Sequence, residues 1–66
     1  MADIPANGTK AALTYWAART RASLRDAQAM AAQGEWSLAV DLSHQAAGEA
    51  SEHAEAMIAY AQRARA

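Results

Sequence analysis

The sequence predicts an all-α fold: an antiparallel two-helix hairpin that self-associates into a four-helix bundle. Three observations carry this. Two alanine-rich stretches repeat their apolar residues at the helical period. A single break, Gln33-Gly34-Glu35-Trp36, separates them. The apolar arc of the second stretch is also wider than one neighbouring helix can cover.

Residues 1–8 read as a flexible arm. Ile4-Pro5 forces an extended residue before the proline. Asn7-Gly8-Thr9 is turn chemistry followed by an N-cap residue. Two readings of the arm stand side by side: a frayed terminus, or Ile4 tucked over the open end of the hairpin.

Residues 9–66 form the hairpin. Helix 1 is expected over about residues 9–33, a stretch without Gly or Pro and almost without β-branched residues. At 100° per residue one arc gathers Ala12, Leu13, Trp16, Ala17, Thr20, Ser23, Leu24, Ala27, Met30 and Ala31. The turn is residues 34–35. Gly34 suits the position after a helix, where a left-handed residue is cheapest without a β-carbon. Glu35 and Ser37 can serve the next N-terminus. So short a turn makes the helices antiparallel neighbours.

Helix 2 is expected over about residues 36–63. Its arc collects Trp36, Ala39, Val40, Leu42, Ser43, Ala46, Ala47, Ala50, His53, Ala54, Met57, Ile58, Tyr60 and Ala61. The opposite, solvated face holds Asp41, His44, Gln45, Gly48, Glu49, Glu52, Glu55 and Arg63. Folding about Gly34 places residues whose numbers total about 70 opposite one another, so bulky side chains meet small ones along much of the seam. A lone hairpin leaves Trp36, Val40, Leu42 and Ile58 or Tyr60 uncovered on one side or the other. Contiguous apolar surface of that kind marks an interface. The expected core and interface residues are Leu13, Trp16, Leu24, Met30, Trp36, Val40, Leu42, Ala46, Ala50, Met57, Ile58 and Tyr60.

Composition narrows the class. A chain of 66 residues holds one domain and a modest core, which favours a staple, a metal or oligomerisation. There is no cysteine, which removes disulfides and thiolate metal sites and fits a reducing, cytoplasmic setting. Arginine and alanine enrichment suggests a GC-rich bacterial or phage genome. The net charge of −1 supplies no general attraction to nucleic acid or anionic lipid. No apolar run approaches a membrane span, and residues 1–5 lack the basic and apolar regions of a signal peptide.

Catalysis lacks its parts. No serine has a histidine and carboxylate at workable spacing, and Gly34 and Gly48 make no phosphate loop. Glu49, Glu52, His53 and Glu55 raise the question of a metal. The Glu-x-x-His pair of bundle metalloproteins is absent because position 50 is alanine, so no metal or other cofactor is assigned. His53 reads as a core-edge histidine bonded to a neighbour such as Tyr60, with a buried switch as the alternative. Arg19, Arg21 and Arg25, with Lys10, give helix 1 a mildly basic side. Ala11, Tyr15, Ala18, Ala22 and Ala29 form a weaker seam that exposed helix formers explain on their own.

The pattern Ala27-x2-Met30-x3-Gly34-x-Trp36-x2-Ala39-x6-Ala46 resembles one tetratricopeptide-type unit. In that family a small residue, a glycine, an aromatic and two alanines pack a helix pair, and arrays need three or more units. The segment from Gly34 to His44-Gln45-Ala46-Ala47 resembles part of a HEPN-type helical domain, without that family's arginine-polar-histidine nuclease motif. Both resemblances imply a helix pair built for contact with other helices and carry over nothing catalytic.

The sequence thus points to a small non-enzymatic interaction or regulatory protein. Its partner is expected to be a second copy, with the dimer favoured, or a dedicated protein. Nucleic-acid binding through Arg19, Arg21 and Arg25 is the second reading, and a metal-binding bundle the third.

Overall fold

The computed structural model describes residues 3–66; Met1 and Ala2 of the expected arm lie outside them. Two helices, α1 (Lys10–Ala32) and α2 (Trp36–Arg65), pack against each other, and no strand is present among the described residues. The molecule extends 49 × 23 × 12 Å, a single helical layer.

The start of α1 is fixed twice. Thr9 is its extended N-cap and accepts from the Ala12 amide at 3.2 Å. The same hydroxyl donates to the Ala6 carbonyl at 2.6 Å, closing the preceding turn. Gly8, at φ +88°, is buried beneath Arg63 of α2, whose guanidinium donates to the Gly8 carbonyl at 3.3 Å. A β-carbon at Gly8 would lie 2.6 Å from Arg63 Cδ. Residues 6–8 are therefore held by backbone and Arg63, whereas Ile4 is exposed and does not cover the open end.

At the other end, the Glu35 amide donates to the Met30 carbonyl at 2.9 Å and the Gly34 amide to the Ala31 carbonyl at 3.0 Å. With Gly34 at φ +77°, this is the paired capping pattern that satisfies the last carbonyls of a helix and reverses the chain. Glu35 is the N-cap of α2, without a side-chain bond to the helix. Arg63 and Arg65 in the last turn of α2 oppose its dipole.

The seam is made of small residues. Ala12, Ser23 and Ala27 of α1 are buried, as are Ala39, Ala46, Glu49 and Ala56 of α2. Half-buried Leu42, His53 and Tyr60 complete a three-four repeat on α2, matched on α1 by Trp16, Thr20, Ser23, Ala27 and Met30. This is the 3.5-residue spacing of left-handed helix pairs. Cross-helix contacts between Ser23 and Glu49, Arg19 and Glu49, and Gly8 and Arg63 follow the expected register.

One expectation is corrected. Glu49, assigned from the sequence to the solvated face, is 7% exposed and lies in the seam; Ala56, assigned to neither face, is wholly buried. The expected arc of helix 2 already held Ala39, Leu42, Ala46, His53 and Tyr60. The hairpin turns on that edge of the arc, extended by Glu49 and Ala56 into the 39-42-46-49-53-56-60 stripe, where the backbones can approach more closely. The large side chains are thereby rotated out of the seam.

Gly48 lies mid-helix on the exposed side of α2, and a β-carbon there would meet nothing within 4 Å. Gly48→Ala is expected to raise stability by about 1 kcal/mol through helix propensity alone. Chemical denaturation at fixed protein concentration reads this directly. A loss of stability would mean that something packs closely on that side of α2.

Candidate interaction surface

On α1, Ala17, Arg21, Leu24, Gln28 and Ala31 recur every three or four residues and form one ridge beside the seam. On α2, Trp36, Val40, Ser43, Ala47, Ala50, Ala54 and Met57 form another. Because the helices run antiparallel, residues one position after the seam on each helix fall on the same broad face. Two shallow grooves show this placement. Leu24, Gln28 and Ala31 line one with Trp36, Val40 and Ser43. Ala17, Thr20 and Arg21 line the other with Ala50 and His53.

This face is apolar and uncovered. Trp36 is 67% exposed, Ile58 at its outer edge 59% and Val40 53%; Leu24 and Met57 are also exposed. No large side chain is fully buried among the described residues. Of the residues expected to form core or interface, Ala46 is buried, and Leu13, Trp16, Met30, Leu42 and Tyr60 are half-buried along the seam. Leu24, Trp36, Val40, Ala50, Met57 and Ile58 are exposed and do not pack the hairpin itself. The reason is geometric. A pair of rods buries one stripe on each, and the small residues occupy that stripe.

The opposite face is polar. It carries Arg19, Asp26, Asp41, Gln45, Glu52 and Glu55, with Leu38 an isolated apolar side chain among them. From its edge a hydrogen-bonded chain enters the seam. The Gln45 amide donates to Ser23 Oγ at 3.2 Å, Ser23 Oγ donates to Glu49 Oε1 at 2.5 Å, and Arg19 Nε donates to Glu49 Oε2 at 3.1 Å. Burial pushes the Glu49 carboxyl up, but the bonds from Ser23 and Arg19, the Arg19 charge and the Gln45 bond outweigh it and hold it below its ordinary value. Nothing in the hydrophobic period signalled this chain; only the register did, by setting Ser23 opposite Glu49.

The same chain disperses the groups considered for other chemistry. Glu49 is turned into the seam while Glu52 and Glu55 face solvent. No group of three or more His, Asp or Glu is placed to hold a metal among the described residues. His53 is half-buried beside Arg21 and makes no hydrogen bond to Tyr60. Arg21 and Arg25, four residues apart, share one flank of α1, and Arg19 lies on the other. Arg19 pairs with Glu49 and sits 5.9 Å from the Tyr15 ring, Arg21 lines the second groove, and Arg25 pairs with Asp26 at 3.5 Å. No helix among the described residues is long and apolar enough to cross a membrane.

The fold and face define the class of protein: a helical hairpin with one apolar side. Compared with known proteins, the chain matches no family model, no curated protein and no solved structure.

Proposed function

We propose that this chain is a small non-enzymatic interaction or regulatory protein that acts as a helical oligomer, in its simplest form a homodimer making a four-helix bundle. The supporting observation is the one-sided apolar face around Trp36, Val40 and Leu24, which a single hairpin leaves in water. A seam of alanine, serine and one glutamate buries little apolar area. Stability at this length therefore has to draw on a further layer. Closed two-fold dimers are the commonest way for such a layer to be supplied.

Light scattering and sedimentation equilibrium across a concentration series test this. The expected result is twice the 7.0 kDa chain mass at micromolar concentration, with a melting temperature that rises with concentration. A folded species of 7.0 kDa at every concentration would falsify self-association and leave the face to a dedicated partner.

A further inference from the structure

We propose that a second copy of this chain covers the Leu24–Val40 face with its own, and that the two-fold axis runs along the hairpin so that both turns lie at the same end. This rests on the self-association proposed above and adds the face and the symmetry. The area suits the occupant. A face of 49 by 23 Å offers on the order of 1,000 Å² per copy, so the pair buries on the order of 2,000 Å², which is enough for a stable interface. A second layer of the same dimensions also leaves no part of the face uncovered.

Identical hairpins can stack face to face with the axis across the molecule or along it. An axis across the molecule lays each helix over its own copy, running in the opposite direction. Arg21 is the midpoint of Lys10–Ala32, so the two Arg21 side chains would then meet on the axis. Like charges in a desolvated centre are costly. Trp36 would also lie over the partner's last turn, which carries Arg63 and Arg65. An axis along the hairpin lays α1 over the partner's α2 instead. Each Arg21 then sits opposite the small residue Ala50, separated from its mate, and its long arm can carry the charge to the rim. Val40 falls opposite Ala31, Leu24 falls opposite Ala47, and both Trp36 side chains come to one end.

The chain has no cysteine, so a single Ser37→Cys substitution places one nitroxide label per copy beside the turn, on an exposed site at the outer rim of the proposed contact. Asp41→Cys serves as an independent second site, and circular dichroism checks that each labelled chain is helical. Pulsed dipolar spectroscopy on the full chain is expected to give a label separation comparable to the 23 Å width of the hairpin. A dimer with a separation approaching the 49 Å length overturns the axis but leaves self-association intact. A 7.0 kDa mass under the same conditions overturns both.

Discussion

Val40→Asp is expected to leave the hairpin intact and to abolish its self-association. Val40 is more than half exposed in the single hairpin, so a carboxylate there stays in water and disturbs nothing in the seam. Between two hairpins the same carboxylate is shut among apolar side chains: Arg21, the one formal charge on the two ridges, lines the other groove, and His44 is the one titratable side chain lining the groove that Val40 shares with Leu24. Burying it unpaired costs several kcal/mol, and about 3 kcal/mol corresponds to roughly a hundredfold weaker dimer. Mass in solution should fall to that of one chain at concentrations where the wild type is dimeric. The melting temperature should drop and lose its dependence on concentration. Leu38→Asp supplies the comparison, since Leu38 is similarly exposed on the polar side and should leave the mass unchanged. Dissociation by Leu38→Asp with retention by Val40→Asp would place the contact on the opposite face.

The contrast between Val40 and Leu38 also shows what was legible in the sequence. Both are large, apolar and adjacent to Ala39, and each falls beside the seam on a different side. Sequence periodicity collected Val40 into the broad arc and left Leu38 outside it. The width of the arc showed that part of it would stay uncovered, but not that the covered edge would be the one with Leu42 and Tyr60 and the bare edge the one with Trp36, Val40 and Ile58. Local chemistry was more informative. Gly34 announced the reversal, Thr9 the start of α1, and one short turn fixed the register. Glu49 was hidden because a lone carboxylate is assigned to water by default, and only its partners reverse that assignment. Ser23 lies on the expected arc of helix 1 and faces Glu49 across the seam, so the pair was present in the register but not in the hydrophobic pattern.

That pair carries the second large effect. Ser23→Ala removes the hydroxyl that donates to Glu49 Oε1 and leaves a buried carboxylate bonded mainly to Arg19, whose side chain is half exposed. Loss of a hydrogen bond to a buried charged group costs about 1–3 kcal/mol, a large share of the stability a domain of this size can have. Glu49→Leu should cost much less, because removing the charge itself also removes its desolvation. The freed Ser23 hydroxyl can turn to a carbonyl of its own helix. In the double variant the loss from Ser23→Ala should shrink, since the carboxylate that needed the hydroxyl is gone. Acid reports on the same group. Its folded value lies below the ordinary 4.5, so the unfolded chain takes up this proton first as pH falls. Glu49 therefore contributes its stability in full above pH 4.5 and loses it as pH drops through the lower folded value. Melts at fixed concentration should show a steeper acid loss for the wild type than for Glu49→Leu. Equal acid slopes, or a Ser23→Ala cost no greater than that of the exposed Ser51→Ala, would remove the buried pair as a source of stability.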